Sequence, residues 1–232
     1  MHQTISPAIF YWGTPVVLIT TENTDGSVNI APMSSAWWLG NSCVLGLATN
    51  SHTTSNLLRT KQCVLNLASD DMKEAVNSLA RTTGTDITMA EPQDGIKYFK
   101  KMNGYKHVYD KFGHAGLTPQ PSDLVRPARI AECPAQMEVE LIGVHEMCRD
   151  SDHNELLALE VKVLRTHVHE NIRMAGHKNR IDPDLWRPMI MSFQELYGLA
   201  PKKIIRSALA EIDEENYRGL SNPIEDESPE QQ

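Results

Sequence analysis

Three short segments of this chain carry residue types suited to holding a flat, anionic ligand. The first is Asn50-Ser51-His52-Thr53-Thr54-Ser55-Asn56, between an apolar strand-like run and a helix-like one. The free N–H groups and positive dipole end of a helix start attract anions. Ser51, Thr53, Thr54 and Ser55 add hydroxyl donors for a phosphate, and a protonated His52 adds a charge-assisted one. The competing reading makes Ser51 or Thr53 an ordinary N-cap. The second segment is Asn29-Ile30-Ala31-Pro32-Met33-Ser34-Ser35-Ala36-Trp37-Trp38. Small side chains let a flat ring approach the backbone, and indoles wall off an aromatic pocket. The competing reading is two core or interface tryptophans. The third is Asp110-Lys111-Phe112-Gly113-His114-Ala115-Gly116-Leu117-Thr118, a loop whose lysine suits an anion and which alone reads equally as surface.

Other chemistry is thin. His167 and His169 share a strand face at i, i+2, but no third ligand of suitable spacing accompanies them, so no metal site is expected. His153 sits in the turn Asp150-Ser151-Asp152-His153-Asn154 between two strands, where a barrel presents side chains to a ligand. Gly-x-Ser-x-Gly, P-loop, His-Glu-x-x-His and Gly-x-Gly-x-x-Gly patterns are all missing, so a nicotinamide, if used, binds a site other than a Rossmann domain.

The elements that must position these groups are mostly strands. Residues 16–21 form a short apolar β-rich run, followed by the turn Asn23-Thr24-Asp25-Gly26 and resumed strand character over 28–31. Strands are expected over 43–48 and 63–67, with a short helix over 53–60 between them. Asp71-x-x-Glu74 has capping-box form and predicts a helix over 72–81. Residues 82–127 read as a long excursion, of the kind that is usually functional or mobile. In 136–142, Met137, Val139 and Leu141 alternate with Gln136, Glu138 and Glu140, which predicts one wet face. Residues 157–169 read as a strand, 184–198 as helical or irregular, and 201–212 as helical. Without regular β-α-β alternation, this pattern is mainly β with peripheral helices, an antiparallel barrel.

Composition bounds the function. The chain has 41% hydrophobic and 22% charged residues and a net charge of -8. Residues 211–232 hold eight acids and one base, so nearly all the negative charge belongs to the tail. The almost neutral remainder gives no electrostatic ground for binding nucleic acid. The tail reads as a frayed, solubilising end. No run approaches the ~18 apolar residues of a membrane span, and no secretory leader is evident. The four cysteines are scattered, as expected of reduced cytoplasmic thiols.

Taken in order, these segments resemble the flavin reductase-like, FMN-binding split-barrel family, which includes flavoredoxins and the reductase components of two-component monooxygenases. The resemblance rests on Gly13-Thr14-Pro15-Val16-Val17-Leu18, residues 29–38, Ser51-His52-Thr53 with Asn56-Leu57, Lys111-Phe112-x-x-Ala115-Gly116-Leu117-Thr118, and Glu132-Cys133-Pro134-Ala135-Gln136-Met137-Glu138. It implies a Greek-key-type split β-barrel over residues 1–200, working as a homodimer, with residues 201–232 as a helical extension and acidic tail. It implies that Met33, Ser34, Ser35 and Ala36 lie along the isoalloxazine, that Ser51, Thr53 and Asn56 hold the phosphate, and that Lys111 lies close to the flavin. Asn29, Trp37, Asn50 and His52 complete the candidate cofactor set. Asp152-His153 matches the family's Gly-Asp-His turn, whose histidine faces the flavin and nicotinamide, although Ser151 stands at the glycine position. The implied activity is hydride transfer from NADH or NADPH to FMN, with a partner monooxygenase or redox protein downstream. The rivals are a flavoredoxin-like electron carrier without direct NAD(P)H turnover and a non-catalytic dimeric binding module.

Overall fold

The computed structural model describes residues 1–148, 156–200 and 203–220. In chain order its elements are β1 (Trp12–Pro15), β2 (Val17–Glu22), β3 (Val28–Met33), β4 (Ala36–Leu39), β5 (Ser42–Ala48), α1 (His52–Thr60), β6 (Gln62–Leu67), α2 (Lys73–Leu79), β7 (Thr82–Thr83), α3 (Ile96–Met102), β8 (Lys106–His107), α4 (Lys111–Ala115), β9 (Pro119–Gln120), β10 (Arg129–Ile130), β11 (Ala135–Met147), β12 (Leu156–Val168), β13 (Met189–Ser192) and β14 (Glu195–Gly198). Among the described residues no helix is long and apolar enough to cross a membrane.

Seven antiparallel strands form the main sheet in the order β3-β2-β6-β11-β12-β5-β4. β5 and β6 are consecutive around α1 yet lie apart, in the Greek-key manner. The two outermost strands, β3 and β4, are separated in sequence only by Ser34 and Ser35. So short a link forces the sheet's two edges together, and the barrel has its seam at these serines. Gly46 N donates to Ser35 O across it at 2.8 Å.

One apolar cluster fills the barrel, with Val17, Ile19, Leu45, Leu65, Val139 and Leu159 at its centre. A second lies outside it, where Val16, Leu18 and Ile30 meet Val76 and Leu79 of α2, Phe112 of α4 and Met189 of β13. β2 is thus covered on both faces, which explains its unbroken apolar run.

Four sequence expectations are corrected. The face of β11 read as wet is dry at its start: Gln136 is 5% exposed and Glu138 0%. The returning limb of the excursion covers it. Glu138 accepts hydrogen bonds from the amides of Asp123 (2.9 Å) and Val125 (3.2 Å), and Arg129 Nη1 donates to Gln136 Oε1 at 2.9 Å. Residues 184–198 contain a β-hairpin, β13–β14, which joins β1 in a three-stranded sheet; its partner strand is some 175 positions away, so local periodicity cannot reveal it. The capping box at Asp71 does not form. Asp71 accepts from the Ser69 hydroxyl, and α2 is entered through a 3₁₀ turn at Asp70–Met72. In the C-terminal arm the described residues form 3₁₀ turns at Ala208–Glu211 and Glu214–Leu220, where a helix over 201–212 was expected.

Candidate functional site

β3 is an edge strand, and its register shows which backbone groups remain free. Leu18 and Thr20 of β2 pair with both β3 and β6. Pro32, opposite Leu18, has no N–H to donate, which is tolerated at a free edge. The outward set therefore contains Ile30 and Pro32. Ile30 O is already used, accepting from Lys111 Nζ at 2.7 Å.

Lys111 opens α4 and is 2% exposed. Asp110 is spent on the Gly113 amide as N-cap, and no carboxylate pairs with Lys111 among the described residues. Burial, reinforced by the Lys100 charge, pulls the ammonium pKa down to about 7. A lysine in this state gains from any anion brought beside it.

α1 starts beside this edge. Ser51 is its N-cap, accepting from Thr54 N at 3.1 Å and contacting Thr54 Oγ1 at 2.8 Å. The capping reading of Ser51 therefore describes the protein without ligand, and the amides of the first turn stay available by helix geometry. Thr53 is buried and accepts from Asn29 Nδ2 at 3.1 Å. Asn56 Nδ2 donates to Thr21 Oγ1 and Asn23 Oδ1 at 3.2 and 2.8 Å.

His52 bridges α1 to the excursion. Its Nε2 lies 2.7 Å from Asn23 Oδ1 and its Nδ1 2.9 Å from Thr85 Oγ1. A carbonyl oxygen only accepts, so Nε2 carries the proton and Nδ1 accepts from the threonine hydroxyl. Burial, then the charges of Lys111, His107, Lys100 and Arg59, lower the His52 pKa to about 4. The imidazole is neutral at pH 7, and here it fastens the 82–85 segment to α1. Gly84 permits this closeness: a Cβ there would stand 2.5 Å from His52 Cδ2 and 2.6 Å from Asn29 Oδ1.

Two buried amide oxygens at this place, Asn29 Oδ1 and Asn50 Oδ1, have no hydrogen-bond partner. Buried polar atoms are seldom left so, and both suit donors on a polyhydroxylated ligand chain. At the other end of β3 a cavity of about 250 Å³ opens beside Pro32, Met33 and Ser34, closed by Tyr11, Val76, Ala80, Met191 and Leu196. From Asn29 to Ser34 the strand runs roughly 17 Å at ~3.4 Å per residue. A polar end at Asn29 and an apolar slot at Ser34 fit a phosphate-ribityl-ring molecule laid along the edge.

The structure thus gathers Asn29, Asn50, Ser51, His52, Thr53, Asn56 and Lys111 at one end of this edge and Met33, Ser34 and Ser35 at the other. Ala36 is buried beneath the seam, and Trp37 is exposed on the outer face of β4. His153 lies outside the described residues. His167 leaves the site altogether and lies 2.7 Å from buried Glu138. Sequence reasoning did not single out Thr85, Gly84, Asn23 or Lys100. Of these, only the Asn23–Gly26 turn gave a local signal, and it reported a hairpin.

Comparison with known proteins agrees with this fold. Residues 11–181 match the flavin reductase like domain. The Bacillus subtilis (strain 168) protein YdfE, itself uncharacterized, is 37% identical over 196 residues, covering 84% of this chain and 88% of that protein. The flavoredoxin of Desulfovibrio vulgaris (Miyazaki F) superposes with a TM-score of 0.67 at 18% identity, covering 90% of this chain and 98% of its own. Nitrilotriacetate monooxygenase component B from Bacillus cereus does so with a TM-score of 0.63 at 17% identity, covering 83% and 87%. With the domain matched over most of its length and the split barrel in place, the chain belongs to the flavin reductase like family, whose work is flavin-linked redox chemistry.

Proposed function

We propose that this protein is an FMN-binding NAD(P)H:flavin oxidoreductase acting as a homodimer. The observation that carries the reading is the edge of β3, with two orphaned amide oxygens and a buried lysine without a counterion at one end and an apolar slot at the seam. Thr53, Ser51 and the first-turn amides of α1 hold the phosphate. Asn29 and Asn50 accept from the ribityl hydroxyls. Pro32 O and the Ser34 hydroxyl meet the polar edge of the ring, and Met33 packs on its apolar part. When bound, FMN supplies an electrophilic N5 that takes hydride from nicotinamide C4. Lys111 offsets negative charge in the site, and His153, on the family resemblance, orients the nicotinamide.

A dimer covers the outer face of β4, where Trp37 is 56% and Leu39 75% exposed. The measurement that tests the whole reading is the visible spectrum of the purified protein reconstituted with FMN, followed anaerobically as NADH or NADPH is added. Bleaching within seconds supports an oxidoreductase. Bound flavin that nicotinamide reduces only over hours supports the second reading, an electron carrier like the flavoredoxin it superposes on. A protein that takes up no FMN overturns both. Sedimentation at the monomer mass with FMN bound would refute the dimer.

A further inference from the structure

The orphaned oxygens Asn29 Oδ1 and Asn50 Oδ1 are buried, so a ligand reaches them only if something covering them moves. Part of that cover is the excursion. Gly84 sits so close that a Cβ there would stand 2.6 Å from Asn29 Oδ1 and 2.5 Å from His52 Cδ2. Asp94 O accepts from Asn50 Nδ2 at 3.4 Å, and the Thr85 hydroxyl reaches His52 Nδ1 at 2.9 Å. The segment therefore lies over the start of α1 and the Asn29 end of β3.

Residues 82–109 hold together as one body. β7 and β8 pair in parallel, Thr82 with Lys106 and Thr83 with His107. The Arg81 guanidinium donates to Asn103 O, and Lys101 Nζ donates to Ala90 O at 2.9 Å. Glu91 and Asp94 cap each other across the 3₁₀ turn that leads to α3.

This body is lightly fixed to the barrel. Neither apolar cluster contains a residue between Leu79 and Phe112. Within 82–109 the only buried apolar side chains are Ile87 and Ala90, whereas Met89, Phe99 and Met102 are exposed. Three polar contacts fasten it: those of Thr85 and Asp94 over α1 and, on the β2–β3 turn, Tyr109 Oη donating to Asp25 Oδ2 at 2.8 Å. A segment with few buried apolar contacts and solvent-exposed hydrogen bonds opens locally, without unfolding the rest of the chain.

Resting, for the identity of its ligand, on the reading of the site as a flavin site, we propose that residues 82–109 are a lid. It is latched over the start of α1 by Thr85, Asp94 and Tyr109, and it swings out where the chain leaves α2 and where it enters α4. Opening uncovers Asn29, Asn50 and the first turn of α1. Closing returns the Gly84 backbone and the His52 contact to their places. The cavity at Ser34 has no lining residue from the lid, so the device governs the polar end of the ligand and, through it, the rates of entry and release.

The test uses full-length wild type, Tyr109→Phe and Thr85→Val, with matched melting temperatures confirming the fold. Tyr109→Phe removes a latch on the β2–β3 turn and leaves the His52 hydrogen bonds untouched, so its effect on His52 reports movement of the whole lid. The flavin-independent probe is diethyl pyrocarbonate, which acylates neutral imidazole, read at each histidine by mass spectrometry at pH 7. In wild type, His52 should react more slowly than exposed His145. In Tyr109→Phe, its labelling should rise at least about threefold, the loss expected for one hydrogen bond, with His145 within twofold of wild type. The second measurement is stopped-flow association of FMN, which should be at least about threefold faster in both variants. Unchanged His52 labelling in Tyr109→Phe overturns the lid, and so do FMN association rates equal in all three proteins. A protein that takes up no FMN, yet whose His52 labelling rises in Tyr109→Phe, would sink the flavin reading and leave the lid standing.

Discussion

Replacing Lys111 by methionine should make the ligand-free protein more stable and the flavin-bound protein harder to form. The lysine pKa falls from 10.5 to about 7 in the folded chain. Between these values the unfolded chain binds the extra proton, so stability rises with pH by about 1.4 kcal/mol per unit. Below pH 7 both states are protonated and the slope vanishes. At pH 7 the folded chain therefore carries a penalty on the order of 4 kcal/mol relative to a solvated lysine. Methionine has similar length and no charge, so it removes that penalty. It also removes the hydrogen bond to Ile30 O, which leaves an edge carbonyl unpaired at a cost of about 1–3 kcal/mol. The net expectation is a gain of roughly 1–3 kcal/mol, or a rise in Tm of about 2–10 °C for a chain of this size.

The assay is thermal and urea unfolding of apo wild type and Lys111→Met at pH 7, 8 and 9. Wild type should gain stability across this range, and the variant should show a smaller gain. Lys100 also titrates with this sign, so the difference between the two curves reports Lys111 together with its coupling to Lys100. FMN should restore the lysine's charge, so binding at pH 8–9 should take up a proton, seen calorimetrically as a heat that depends on the buffer. The variant should lose that uptake and at least tenfold in FMN affinity. A variant less stable than wild type at every pH, by a constant margin, would refute the argument, because the lysine would then be a net stabilising contact.

Glu138→Gln should destabilise the barrel by about 2–4 kcal/mol at pH 7, since one amide oxygen replaces a carboxylate that accepts from the Asp123–Val125 amides and His167. Burial acts to raise the Glu138 pKa, but the amides of Asp123 and Leu124 and then His167 outweigh it and hold the carboxyl below the ordinary range; wild type should therefore lose stability as pH falls below the ordinary glutamate value near 4.5, and urea melts at pH 7 and 4 should show the two proteins converging. Gly84→Ala should cost about 1–3 kcal/mol, because its Cβ would press on the His52 ring and Asn29 Oδ1, and FMN titration should report a weakened site along with a lowered Tm. His153→Ala should slow flavin reduction by NADH or NADPH roughly five- to 150-fold with FMN affinity little changed, equivalent to about 1–3 kcal/mol of barrier; equal stopped-flow rates would leave it a turn residue without a catalytic part.

The sequence made strand identity legible wherever burial is decided by near neighbours. β5 alternates inward Cys43, Leu45 and Leu47 with outward positions, and its pattern shows in the residues themselves. The start of β11 has the same alternation, but Glu138 is dry because a loop ten to fifteen residues upstream folds back and supplies amides to it. Nothing in the pattern of 136–142 distinguishes a carboxylate facing water from one facing three backbone donors. β13–β14 failed for a related reason, since short strands with few β-branched residues exist here only through pairing with β1 at the far end of the chain.

The site shows the same division between residue type and residue pairing. Hydroxyls at a helix start, small residues before paired indoles and a lysine in a glycine-bearing loop were each visible as chemistry. What turns them into one site is a set of contacts spanning the chain: Asn29 to Thr53, Ile30 to Lys111, His52 to Thr85. Each joins a strand or helix of the barrel to another element, and two of them involve the excursion. The excursion has no periodicity because its order comes from the barrel edge it covers, through β7–β8 pairing, the Gly84 contact and the Lys111 ammonium. A segment of that kind reads as loop from composition, yet its glycine and lysines are positioned as closely as core residues, because a buried polar cluster tolerates only the arrangement that pairs it.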